Sequence, residues 1–307
     1  MKIKPGIKDL LWMAAGAAVL LVCLLVVFHF HNEQDATAQL TRKVQRADWV
    51  GRMQLDLASA AEAEKSAVLA PADQDSQTFA DQARAATANV EQERQELNKL
   101  LPPNGTGHER ELLAQFSTAF AEFQRIDKEL LALAVQNTNL KAYSLTFGPA
   151  ATALKAMDES LARLPTEDAP ALRFATNARI AAWRLLTLIP PHIAEEDETK
   201  EDALEALMAT EDAQVQKNLA DLAALPKFSN NLDVTSATAR YAEFSKIKSR
   251  ILILSRENTN VRSLSISLNQ KRKVMLVCQD ALGALQQAIQ AEPIAGITYG
   301  TAPVRPR

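Results

Sequence analysis

Two stretches of the chain decide how the rest is read. Residues 120–164 are FAEFQRIDKELLALAVQNTNLKAYSLTFGPAATALKAMDESLARL, and residues 241–285 are YAEFSKIKSRILILSRENTNVRSLSISLNQKRKVMLVCQDALGAL. They align without a gap and share 12 identities in 45 positions. Ala121-Glu122-Phe123 faces Ala242-Glu243-Phe244, Asn137-Thr138-Asn139 faces Asn258-Thr259-Asn260, and Ser144 faces Ser265. Ile126, Leu133, Leu140, Phe147, Leu154 and Leu161 fall seven apart, as do Ile247, Leu254, Val261, Leu268, Met275 and Leu282. Sevenfold apolar spacing of this length marks helices packed lengthwise in a bundle. Two amphipathic helices share apolar positions by chance, but not a polar triplet at the same phase. The chain carries an internal duplication.

Composition points the same way. Of 307 residues, 47% are hydrophobic but only 5% aromatic, a mixture rich in helix formers and poor in sheet formers. Pro71, Pro102, Pro103, Pro149, Pro165, Pro170, Pro226 and Pro293 stand between periodic stretches, while Pro190 and Pro191 interrupt one. The fold class expected is all-α. A net charge of -3 with both signs interspersed excludes a nucleic-acid surface. The two cysteines, Cys23 and Cys278, are too few for a disulfide framework.

From Leu10 to Phe28 no residue is charged, and Trp12 and Phe30 stand near the ends of the run, as expected of a transmembrane helix. Lys2, Lys4 and Lys8 place the amino terminus in the cytoplasm and the residues beyond the run outside the inner membrane, in the periplasm. A cleaved signal peptide is the competing reading; the length of the run favours a retained anchor. The expected layout is a tail and anchor over 1–31, a first antiparallel four-helix bundle over 32–166, a second over 167–292, and a loose tail over 293–307.

Within the first copy, one helix runs from the anchor to Pro71, and a second ends at Leu101-Pro102-Pro103-Asn104-Gly105. Thr106 with Glu109 forms a capping box for the third. Gly148-Pro149 suits the start of the fourth, with Asn269 capping the equivalent start in the second copy. The unbroken sevenfold register also fits one long helix through 126–161. In the second copy the first helix bends or ends at Pro190-Pro191, Thr199 with Asp202 caps the next, and Pro226–Asp233 connects to the repeated pair.

The Leu130–Ala134 run, the polar break at Gln136–Asn139, the helix over Gly148–Leu164 and the anchor feeding a long first helix resemble the periplasmic four-helix-bundle sensor domain of methyl-accepting chemotaxis receptors. The second membrane helix, HAMP linker and cytoplasmic coiled coil of those receptors have no counterpart in this sequence. The resemblance implies a noncatalytic sensor module, facing a twin as a homodimer or packing its two copies as an internal pseudo-dimer. It also directs attention to first-helix arginines that grip a carboxylate: Arg46 and Arg52 in copy one, and Arg173, Arg179 and Arg184 in copy two. A small organic acid or amino acid is the implied ligand. The alternative for these arginines is a solvated charged face. Asn137, Asn139, Asn258 and Asn260 either line a pocket or cap helix ends, and capping is the stronger expectation.

His192 with Glu195 and Glu196 lacks the partners of a bundle metal site, and no nucleophile, phosphate-loop or zinc motif appears. No enzyme activity, cofactor or metal is expected. The remaining reading is a scaffold of the cell envelope that binds a protein partner and no small ligand.

Overall fold

The computed structural model describes residues 7–101, 107–165 and 167–294, with the side chains of 7–19 and 24–35 outside the description. Among these described residues, ten α-helices account for nearly all of the chain: α1 Ile7–Leu69, α2 Asp73–Leu100, α3 Gly107–Ala134, α4 Thr138–Leu145, α5 Ala151–Ala162, α6 Ala169–Ala194, α7 Glu198–Ala224, α8 Leu232–Glu257, α9 Thr259–Ile266 and α10 Arg272–Ala291. Among the described residues there is no strand. Among them, too, no helix is long and apolar enough to cross a membrane. The anchor expected over Leu10–Phe28 falls mostly on side chains outside the description, as do the Pro102–Thr106 turn and the tail from residue 295.

Local chemistry sets most of the boundaries. Asp168 caps α6 by accepting from the Ala171 amide, with Pro170 in the first turn. Asn231 caps α8 through the amides of Asp233 and Val234. The cap of α7 is Asp197, which accepts from the Thr199 and Lys200 amides; the expected Thr199–Asp202 box does not form, and Asp202 instead pairs with Arg256. Pro190 and Pro191 neither end nor interrupt α6, which runs on to Ala194.

The break between the third and fourth helices of each copy lies at Asn137 and Asn258, not at Gly148-Pro149. Among the described residues these two are the non-glycine positions with positive φ, at 52° and 51°, and asparagine tolerates that left-handed conformation better than most residues. The new helix starts one residue later. Pro149 sits inside a π-helical turn, Thr146–Ala150, and Ser267–Lys271 forms the equivalent turn without a proline. Asn269 therefore lies within a continuing helix instead of capping one. Together the left-handed residue and the wide turn shift the apolar phase, so Leu140, Phe147 and Leu268 of the sevenfold register point to solvent, while Ala142, Ala150 and Ala153 are buried.

The chain divides into two compact units that cut across the sequence copies: Met1–Ala58, Ala86–Phe120 and Leu276–Arg307 in one, Ser59–Ala85 and Ala121–Met275 in the other. The second unit shows which helices associate. Leu154, Met157 and Leu161 of α5 share one core with Leu185 and Ile189 of α6, Val215 and Leu219 of α7, and Phe244 and Ile251 of α8. The fourth helix of copy one thus packs with the first three of copy two. Conversely, Ile266 of α9 packs on Ala67, Ala80 and Leu130 of α1, α2 and α3, and Lys271 reaches Asp127 of α3. In the first unit, Lys43 of α1 donates to the carbonyls of Gln290 (2.7 Å) and Glu292 (2.6 Å) at the end of α10. The two copies have exchanged their last helices.

A two-way set of hydrogen bonds marks the exchange. The Thr138 amide donates to Thr259 Oγ1 (3.2 Å), and the Thr259 amide donates to Thr138 Oγ1 (3.1 Å). The Asn139 amide donates to Asn260 Oδ1 (3.1 Å), and the Asn260 amide to Asn139 Oδ1 (3.0 Å). Each copy caps the other's α4 or α9, since neither Asn137 nor Asn258 caps its own helix. Thr138→Val and Thr259→Val each keep the shape of the side chain but leave the opposite buried amide without an acceptor, a cost of about 1–3 kcal/mol. Both variants are expected to lower the unfolding midpoint in urea, and the double variant to lower it by less than the sum because the two residues share their bonds.

Candidate functional site

Asn137 and Asn258 are occupied by the exchange. Asn137 Oδ1 accepts from Asn260 Nδ2 (2.9 Å) while its own Nδ2 donates to Asp73 (3.1 Å). Asn258 Oδ1 accepts from Asn139 Nδ2 (2.7 Å), and its Nδ2 donates to the Glu195 carbonyl (2.6 Å). Both are buried. Their amides are spent on holding helix ends together.

The arginines are dispersed. Arg46 is buried on α1 and pairs with Glu109 (2.6 Å) and with Glu292. Thr106, the other half of the expected capping box, lies outside the described residues. Arg52 is exposed, pairs with Asp48 (2.9 Å) and lies 5.0 Å over the Trp49 ring. Arg173 covers the Phe174 ring at 4.7 Å. Arg179 and Arg184 alone come together, on the outer face of α6. A groove of about 470 Å³ is lined there by Asp158 of α5 and by Thr176, Arg179, Ile180, Trp183 and Arg184 of α6. Asp158 accepts from Arg179 at 2.6 and 3.2 Å and from Trp183 Nε1 at 3.4 Å, and the arginine bond holds its carboxyl below the usual range. Arg184 reaches only Glu211, at 4.0 Å, and keeps 68% of its side chain exposed. Arg184 is the available cation of the groove, and Trp183 and Ile180 are its apolar wall.

His192 is a core residue. Its ring lies 2.7 Å from Ser255 Oγ through Nδ1 and 3.0 Å from Glu205 through Nε2, with no exposed surface. Arg256 gathers Glu201, Asp202 and Glu205 beside it. Glu195 accepts from the amides of Glu196 and Asp197 instead of facing the ring. Among the described residues, no group of three or more His, Cys, Asp or Glu is placed to hold a metal ion.

Two inward-facing carboxylates are not among the candidates that the sequence suggests. Glu64 follows Leu57 and Ala60 on the buried face of α1, and neither of its oxygens has a hydrogen-bond partner. Burial raises its pKa, with the charge of Lys271 pulling the other way. Glu93 lies between Val90 and Leu97 on the buried face of α2; burial and then Asp56 push it up to about 7, with Asp48 adding to the rise and Arg52 opposing it. Their signal in the sequence is an acidic residue at an otherwise apolar register position. For Glu93 the neutral form is favoured in the folded state, so its stabilising contribution is present below the ordinary value of 4.5 and is lost as pH rises through about 7. Glu93→Gln is expected to flatten the dependence of melting temperature on pH across that window and to be the more stable protein at pH 8. An unchanged slope would show that Glu93 titrates normally.

The family model described as a four helix bundle sensory module for signal transduction matches residues 18–166, just under half of the chain. No curated protein and no solved structure matches the chain. The matched segment holds α1 from residue 18 through α5, the whole first copy of the duplication. Residues 18–166 are thus similar to four-helix-bundle sensory modules.

Proposed function

We propose that this protein is a noncatalytic sensory module, anchored by Leu10–Phe28 in the inner membrane, that binds a small organic acid or amino acid in the periplasm. The observation that carries this reading is the α6 groove, where Arg184, Arg179 and Trp183 adjoin on one helix face. An exposed guanidinium beside an apolar wall suits a carboxylate with a short hydrocarbon body: the fork orients the carboxylate, and burial of the body adds affinity. Arg179, already held by Asp158, serves as a fixed positive wall and Arg184 as the primary contact. The chemoreceptor sensor family supports a signalling role for such a ligand, and the duplication supplies this chain with two copies of the module's helices.

Exposed Leu172, Ile180 and Trp183 also favour the scaffold reading, in which a protein partner covers the same face of α6. One experiment separates the two. The full chain is screened by thermal shift against organic acids and amino acids, with tryptophan fluorescence as a second readout. A ligand sensor gives a rise in melting temperature, equal to RT ln(1 + [L]/Kd) in free energy. The apparent affinity falls at least tenfold in Arg184→Ala, and binding changes an emission component that is absent from Trp183→Phe. A flat screen on folded protein rejects the small-ligand reading and leaves the partner-binding surface.

A further inference from the structure

A second cavity lies within the other compact unit. It has a volume of about 480 Å³ and is walled by α1, by the end of α2 and by the residues just after α10. Arg42, Arg46 and Lys99 contribute three positive charges to its lining and Glu292 one negative charge. Leu101 and Ile294 close the inner side. The volume is that of a small-molecule site.

The fold ties down only part of this positive charge. Helix α10 ends here, and its terminal carbonyls are served by Lys43. The end of α2 has Arg110 donating to the Leu101 carbonyl at 3.3 Å. Arg46 spends its two terminal nitrogens on Glu109 and Glu292, and its Nε is buried with no acceptor. Arg42, one turn before it, is exposed. Lys99, itself exposed, holds the half-buried Glu96 at 2.7 Å, a pair weak enough to be exchanged. Burial raises the pKa of Glu109 against the opposing pull of Arg46.

We propose that this cavity binds a phosphate-class oxyanion, recognised by Arg42 and Lys99 at its mouth and by Arg46 at its base. Donors arrive from two helices and from different directions. A tetrahedral oxyanion offers an acceptor oxygen to each of them, whereas a planar carboxylate is matched by a single fork. Two such ligands share this chemistry, free phosphate and the phosphodiester of an anionic lipid headgroup.

The test uses the full chain in nanodiscs of zwitterionic lipid, titrated with inorganic phosphate against chloride at matched ionic strength, and in a second arm with phosphatidylglycerol added to the disc. The variant is Arg42→Gln with Lys99→Gln, both exposed side chains whose loss leaves the ligand-free melting temperature unchanged. Phosphate is expected to raise the melting temperature, with apparent affinity reduced at least tenfold in the double variant and unaltered in Arg184→Ala. Stabilisation by phosphatidylglycerol alone, lost in the same variant, identifies the headgroup as the source. The proposal is overturned if neither ligand stabilises beyond chloride or if the double variant responds as the parent does. Because Arg184→Ala reads the α6 groove alone, the two sites fail or stand independently.

Discussion

The reciprocal capping at Thr138, Asn139, Thr259 and Asn260 is the constraint on which the architecture turns. A helix start leaves unpaired amides, and burying them without acceptors is costly. At α4 and α9 the preceding residue is a left-handed asparagine that does not cap its own helix. The acceptors come instead from the same positions of the other copy, at a constant separation of 121 residues. A sequence that meets its own duplicate at this point satisfies both helix ends at once, in the manner of an isologous dimer interface. Duplication and fusion make that interface intramolecular.

The exchange of last helices follows from the same geometry. Each fourth helix leaves its left-handed asparagine beside the other copy's break and joins that copy's three helices. A bundle core is then assembled from both halves of the chain, with Leu154 and Leu161 of copy one among Leu185, Val215 and Phe244 of copy two. The latch of Lys43 and Arg46 onto the end of α10 closes the reverse exchange. The two copies have diverged inside this shared plan. Glu64 is buried at a place where the repeat offset puts Leu185, and Asp127 meets Lys271 where the other copy has Lys248 and Ala150. Buried charge of this kind is weak evidence of stability. The other copy keeps a pair of its own, the buried Lys248 with Asp212.

Much of the fold was legible in the sequence, for reasons that can be named. Helical class and duplication follow from periodicity and from the Asn-Thr-Asn triplet, both local in the chain. Pro71 and Leu100 delimit helices as their chemistry requires. The errors lie where two segments distant in sequence decide the outcome. Pro149 looked like a helix start because a proline rarely sits inside a helix, yet a π-helical turn accommodates it, and the same turn forms at Ser267–Lys271 without one. Thr199 lost the cap to Asp197, two residues earlier, because Asp202 has a competing partner in Arg256. Of the five candidate arginines, Arg179 and Arg184 share a groove among the described residues. Nothing in their spacing distinguished them from Arg46, whose partners, Glu109 and Glu292, lie 63 and 246 residues away.

The exchange itself is open to one direct measurement. Ser160 Oγ of α5 lies 3.2 Å from Ser236 Oγ of α8. In an unexchanged protein, α8 would pack against its own copy's last helix, and Ala281 would take the place of Ser160. With Cys23 and Cys278 replaced by serine, Ser160→Cys/Ser236→Cys and Ala281→Cys/Ser236→Cys are compared for intrachain disulfide formation under mild oxidation. The exchanged architecture predicts efficient closure in the first pair and little in the second. Closure of the second pair in preference to the first would contradict it.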